Sequence, residues 1–162
     1  PSDISTEISL DLPNNLPTEK RTGIVHGDYS LTNVMIGKND PNVIAILDWE
    51  LSTLGDPCAD FNYHCLQYTM NPKLADKEYC KNQGIPVIDD YVKMYSEKIE
   101  IDLTEEWDLY SAYNLFKLAG ILQGILGRVR DGTAAHENAA ERASGVRNLS
   151  DKAWDLVEKN FL

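Results

Sequence analysis

His26-Gly27-Asp28-Tyr29-Ser30-Leu31-Thr32-Asn33 is followed by Ile46-Leu47-Asp48-Trp49-Glu50, whose Asp48 stands fifteen residues after Asn33. Three oxygen-bearing side chains, Asp28, Asn33 and Asp48, stand here in an order that suits phosphoryl transfer. Such a reaction asks little covalent chemistry of the protein; it asks for an aligned nucleophile and neutralised charge. A carboxylate at 28 can accept a hydrogen bond from an alcohol and orient it. The amide oxygen of Asn33 and the carboxylate of Asp48 are hard ligands of the kind magnesium takes.

The local pattern explains how residues so far apart in sequence could meet. Ile24-Val25 reads as a short strand delivering His26 and Asp28 to a loop. Asn33–Ile36 reads as a second strand. Gly37-Lys38-Asn39-Asp40-Pro41-Asn42 is dense turn chemistry, and the apolar run Val43–Leu47 has the length of a buried strand. A β-hairpin follows, with Asn33 at its start and Asp48 at its end.

The rest of the chain is helical in pattern. Gly55-Asp56-Pro57 is a turn, with Asp56 as N-cap and Pro57 in the first turn of a helix running to about Thr69, where Asn71-Pro72 stops it. Asp89 or Asp90 can cap a helix over 91–101. Asp102 with Glu105 resembles a capping box, with Thr104 as rival cap, ahead of a long helix to about Arg130. In that helix Gly120 and Gly124 would leave room for a neighbouring helix. A last helix is expected from Glu137 to about Asn160, anchored by Trp154, Leu156, Val157 and Phe161. Residues 1–22, with Pro13 and Pro17, read as a lead-in segment that could hold a short helix ending near Leu12. A single domain over 1–162 follows.

Composition narrows the functional classes. The net charge of −11, from 26 acidic and 15 basic residues, argues against nucleic acid as a partner. Three cysteines without a Cys-x-x-Cys, and three scattered histidines, fit neither a disulfide framework nor a zinc site. A reducing, intracellular and cytoplasmic setting is expected. Nothing in the opening residues has the form of a signal peptide. The most apolar stretch, from Trp107 to Val129, carries Asp108, Asn114, Lys117 and Gln123, too polar for a membrane span.

His-Gly-Asp-x-x-x-x-Asn, then Ile-Leu-Asp-Trp-Glu, then Gly-Asp-Pro-x-x-Asp resembles the aminoglycoside phosphotransferase and choline kinase-like superfamily. The run Asp48–Pro57 is most similar to the phosphotransferase domains attached to acyl-CoA dehydrogenases. The specific match spans about residues 24–72. The resemblance implies an α+β, mainly helical fold: the C-terminal lobe of a protein kinase-like fold, with a small β-hairpin carrying the metal ligands. It implies Asp28 as the catalytic carboxylate and Asn33 and Asp48 as magnesium ligands. His26 would pack beneath the loop, Gly27 would permit its tight course, and Asp60 would hydrogen-bond its backbone. Glu50 and Trp49 are candidates for acceptor contacts, weighed against a solvated acid and a packed indole. Relatives often carry an Arg and an acidic residue between the catalytic Asp and the Asn. Ser30, Leu31 and Thr32 stand there instead, so contacts made by those residues do not carry over.

A kinase-like enzyme also needs an N-terminal lobe with a Gly-rich loop and a strand Lys paired to a helix Glu. The residues before His26 are too few to form one, and no G-x-G-x-x-G occurs in the chain. The expectation is therefore an ATP- and Mg2+-dependent phosphotransferase acting on a small hydroxylated acceptor, seen here as a C-terminal lobe that turns over little without its N-terminal partner. The alternative is a non-catalytic pseudokinase lobe that binds a ligand or a protein. A two-carboxylate metal hydrolase built on Asp28 and Asp48 leaves Asn33 unexplained.

Overall fold

A computed structural model of the chain describes residues 21–133 and 145–161. The lead-in at 1–20, the helix expected near Leu12 and the beginning of the last helix lie outside the described residues. Among the described residues four strands and six α-helices follow in chain order: β1 (Gly23–Val25), β2 (Val34–Ile36), β3 (Val43–Ile46), β4 (Thr53–Gly55), α1 (Pro57–Met70), α2 (Pro72–Ala75), α3 (Lys77–Asn82), α4 (Ile88–Ile99), α5 (Trp107–Arg130) and α6 (Val146–Phe161). The described residues up to Trp107 form one compact unit, and those from Asp108 onward form another.

In the first unit the strands make two antiparallel pairs. β2 and β3 form the expected hairpin, with Val34 opposite Ile46 and an irregularity between Met35 and Ile36. β1 pairs with β4, Ile24 opposite Leu54. β4 was hidden in the sequence because Gly55 reads as turn punctuation rather than as a strand residue. The expectation of a buried strand at Val43–Leu47 fails: Val43 is 56 % and Ile44 62 % exposed. Ile24, Met35, Ile36 and Leu54 are exposed as well, so both strand pairs carry open apolar side chains.

The helices supply the core of this unit. Asp56 caps α1 by accepting from Cys58 N at 2.9 Å, Pro57 occupies its first turn, and α1 packs against β1. Cys58, Phe61, Cys65 and Leu66 of α1 are buried, with Cys80, Val92 and Leu103. Phe61 stacks on Tyr95 of α4, ring centroids 3.7 Å apart. Asn71-Pro72 ends α1 as expected, but Asn71 then caps a further short helix through Lys73 N, and Asp76 caps the next. α4 begins at Ile88 rather than after Asp89 or Asp90. Both acids fall in its first turn, where their charge favours the positive helix end. Asp102 accepts from Thr104 N at 2.9 Å within a turn, and α5 starts only at Trp107.

In the second unit Leu109, Tyr110, Ala112, Leu115 and Ala119 of α5 are buried. A Cβ added at Gly120 would meet nothing within 4 Å, so close helix packing at that glycine is not found among the described residues. α6 buries Leu149, Ala153 and Val157 at four-residue steps, one stripe of a helix. Trp154 and Leu156, expected as anchors, are only half-buried. Asp108 accepts from Asn160 Nδ2 at 2.9 Å, with Lys159 Nζ 3.6 Å away.

Candidate active site

The loop between β1 and β2 is held by one face of α1. Asp60 lies in the first turn of that helix, beside its positive end. Its carboxylate accepts from two backbone groups of the loop: His26 N on Oδ2, and Gly27 N on Oδ1 at 3.0 Å. Gly27 has a left-handed φ of 85°, and a Cβ there would stand 2.5 Å from the Leu51 carbonyl oxygen. Glycine is required at 27 for both reasons.

His26, 2 % exposed, ties the loop to the end of the hairpin. Asp28 N donates to its Nδ1 at 3.2 Å, so Nδ1 is the acceptor and Nε2 carries the proton. Nε2 lies 2.8 Å from the Leu47 carbonyl, to which it donates. Residue 47 in turn donates its N–H to the Asn33 carbonyl at 2.8 Å, extending the β2–β3 ladder by one bond. Asp28, Asn33 and Asp48 therefore sit on three backbone segments joined through one buried imidazole and one ladder bond.

Asn33 closes a short 3-10 turn, Leu31–Asn33. Its amide nitrogen donates to the Asp28 carbonyl at 2.9 Å and to Asp28 Oδ2 at 3.1 Å. Both amide hydrogens are thereby used, which leaves Oδ1 as the atom with capacity to accept. Asp48 is exposed and adopts the left-handed conformation, φ 67° and ψ 56°, ahead of the 3-10 turn Trp49–Leu51. For a residue other than glycine that backbone costs on the order of 1 kcal/mol, a form of strain that concentrates at functional positions.

Trp49 and Glu50 diverge in environment. Trp49 Nε1 donates to the Ile46 carbonyl at 2.8 Å, and its ring lies 4.7 Å from that of His26. The bond fixes the edge of the indole, while the residue stays 45 % exposed. Glu50 is exposed in the 3-10 turn.

Sequence reasoning missed Tyr63. Its pKa is pushed up to about 12, first by burial, then by the charge and hydrogen-bonding capacity of the Asp28 carboxylate. His64 lies 5.5 Å from the ring of Tyr29 and 3.2 Å from the Tyr91 hydroxyl. Burial lowers the His64 pKa, and its Nδ1 has no partner among the described residues. The signal was present as helix periodicity. Asp60, Tyr63 and His64 are i, i+3 and i+4 on α1, one face that meets positions 26 to 29 in turn.

Among the described residues no group of three or more His, Cys, Asp or Glu side chains is placed to hold a metal. The donor set read from the sequence is of another kind, one amide oxygen and one carboxylate. Both are hard oxygen donors, and the remaining ligands of a magnesium ion are commonly phosphate oxygens and water. The residues at 33 and 48 fit that ion in donor chemistry: Asn33 turns its nitrogen to Asp28 and keeps its oxygen, and Asp48 is open to solvent.

A mainly helical chain with small antiparallel strand pairs and a His-Gly-Asp loop clamped by a helix carboxylate has the fold of a kinase-like phosphotransferase. The chain belongs to the phosphotransferase enzyme family, whose model matches residues 3–113. It is similar over its whole length to a Ralstonia eutropha protein described as a "putative aminoglycoside phosphotransferase", with a TM-score of 0.87 and 38 % identity, covering 51 % of that chain. It is 37 % identical over 153 residues to acyl-CoA dehydrogenase family member 10 of Mus musculus, covering 91 % of this chain and 14 % of that protein. Acyl-CoA dehydrogenase family member 11 of Homo sapiens is 31 % identical over 160 residues, covering 96 % of this chain and 20 % of that protein. The chain thus spans about half of the solved relative and a fifth or less of these curated ones. No described helix is long and apolar enough to cross a membrane.

Proposed function

We propose that this chain is the C-terminal, acceptor-binding lobe of an ATP-dependent phosphotransferase that phosphorylates a hydroxyl group of a small molecule. The observation that carries the reading is the bonding of Asn33 to both the main chain and the carboxylate of Asp28, on a loop held by Asp60. Asp28 would accept the hydrogen bond of the acceptor hydroxyl. As the hydroxyl oxygen forms its bond to the γ-phosphorus, the bond to the β–γ bridging oxygen breaks, the proton passes to the Asp28 carboxylate, and ADP leaves. Asn33 Oδ1 and the Asp48 carboxylate would hold magnesium, which neutralises phosphate charge when bound. Asp60 and His26 contribute by fixing the loop, because a displacement of about 1 Å at the nucleophile can cost on the order of 10²-fold in rate.

The exposed apolar side chains of the four strands support a covering partner, which in this reading is the N-terminal ATP lobe. The chain on its own then turns over little. The names of the curated relatives favour a hydroxylated acid or acyl thioester as acceptor; the name of the solved relative favours an aminoglycoside-like alcohol. The test is ATP turnover, across a panel of both acceptor classes, by a polypeptide joining this chain to its N-terminal lobe. Asp28→Asn is expected to lower the rate roughly 10²–10⁴-fold. Equal rates for the two proteins would defeat the assignment. Acceptor binding without any nucleotide binding would favour the non-catalytic lobe instead.

A further inference from the structure

The loop that carries Asp28 is fastened before that residue by Asp60, and after it by rings. The Tyr29 ring stands 6.1 Å from that of His26 and 5.5 Å from that of His64, both within the range at which aromatic rings attract. His26 belongs to the same loop and moves with it. His64 belongs to α1 and gives Tyr29 a reference outside the loop. The imidazole is oriented in turn. Its Nε2 is hydrogen-bonded to the Tyr91 hydroxyl at 3.2 Å, and the two rings lie 5.8 Å apart, edge to face. Tyr91, on α4, is set against Phe61 of α1 in the same manner, centroids 5.2 Å apart. Tyr91, His64 and Tyr29 thus form a chain of contacts from the helical core of this unit to the residue after Asp28.

Packing alone does not explain histidine at 64. Its Nδ1 is buried without a partner among the described residues, and a buried polar group left unpaired is costly. Leucine or phenylalanine would cover the same face of α1 without that cost. What the imidazole adds is a polar edge, which the Tyr91 hydroxyl grips, on a flat ring that Tyr29 meets. Burial lowers the His64 pKa, which keeps the ring neutral and these contacts unchanged at neutral pH. We propose that His64 is a positioning residue: its ring, aimed by the Tyr91 hydroxyl, holds Tyr29 and so fixes where the adjoining Asp28 carboxylate lies relative to an acceptor hydroxyl. The proposal rests on the phosphotransferase reading and deepens it.

The experiment compares His64→Leu, His64→Phe and Tyr91→Phe in the polypeptide that carries both lobes. His64→Leu removes ring and bond. It should lower kcat about 10- to 100-fold with the KM for ATP within about 2-fold of wild type, since a displaced carboxylate slows transfer without loosening nucleotide. His64→Phe keeps a ring against Tyr29 and loses only the bond, so it should stay within about 5-fold of the wild-type kcat, the share of one neutral hydrogen bond. Tyr91→Phe alone should cost about 5-fold as well, but less than about 2-fold when added to His64→Phe, because the bond is already gone. A His64→Phe variant as slow as His64→Leu, or equal Tyr91→Phe losses in both backgrounds, would overturn the proposal. If His64→Leu does not fold, a wild-type kcat in Tyr91→Phe would overturn it too. A readout independent of turnover is the amide resonance of Asp28, whose N–H donates to His26 Nδ1 at 3.2 Å. It should move in His64→Leu and stay near its wild-type position in His64→Phe; an unmoved resonance in His64→Leu would overturn the proposal. A wild-type polypeptide with no ATP turnover would defeat the phosphotransferase reading, and the Asp28 resonance would then decide whether His64 holds the loop.

Discussion

Truncating Asp60 tests the clamp on the loop. Its carboxylate accepts from His26 N and from Gly27 N, the latter at 3.0 Å. Asp60→Ala removes both acceptors and leaves two backbone N–H groups beside a buried imidazole. A hydrogen bond to a charged partner contributes about 1.5–3 kcal/mol, so two give about 3–6 kcal/mol before water is counted. Asp60 is half-buried, so water can replace part of what is lost, and about 2–4 kcal/mol is the expected destabilisation. That is a large share of the roughly 5–15 kcal/mol that holds a domain folded. Asp60→Asn keeps one acceptor and should lose about half as much. Urea unfolding of the chain measures both through the shift in midpoint at constant slope. An Asp60→Ala midpoint within about 0.5 kcal/mol of wild type would refute the clamp, since only a surface residue behaves that way.

Three further outcomes are expected. Gly27→Ala places a Cβ 2.5 Å from the Leu51 carbonyl oxygen at a left-handed φ of 85°, and should destabilise by about 2 kcal/mol or more in the same urea assay. Asp48→Gly relieves the left-handed backbone at φ 67°, so stability should rise by about 0.5–1 kcal/mol while turnover of the two-lobed protein collapses; an active variant would remove Asp48 from the site. Burial holds the His64 pKa below its ordinary ~6.5, with its ring set against the uncharged rings of Tyr29 and Tyr91. The unfolded chain therefore binds more protons between those two values, and the His64 contribution is complete above ~6.5 and lost as pH falls through the folded value. His64→Gln should flatten the loss of stability as pH falls below ~6.5, and an unchanged slope there would show that His64 does not couple to folding.

The sequence was most readable where chemistry and local geometry coincide. Asp56-Pro57 announced α1, because a cap and a first-turn proline act within a few residues. The β2–β3 hairpin was legible for the same reason, since a six-residue turn cluster separates two apolar runs. β4 was not, because three residues with a glycine gain strand character only by pairing with β1, a long-range event. The same limit applies to Val43 and Ile44: an apolar run states that burial would be favourable, not that a covering surface is present. Tyr63 was overlooked because the loop was read as a motif and α1 as packing. Only the spacing from Asp60 links them, and it becomes informative once that helix is known to face the loop.

The most direct measurement is a manganese titration of the two-lobed protein with ATP, followed by electron spin resonance of the free ion. If positions 33 and 48 grip one divalent ion beside the phosphates, Asn33→Ala and Asp48→Asn should each weaken nucleotide-dependent manganese binding by roughly 10-fold or more, the usual penalty for losing a hard oxygen ligand. Asp28→Asn should bind the ion as wild type does. Wild-type manganese affinity in both ligand variants would mean that the loop and the hairpin were brought together for something other than phosphoryl transfer.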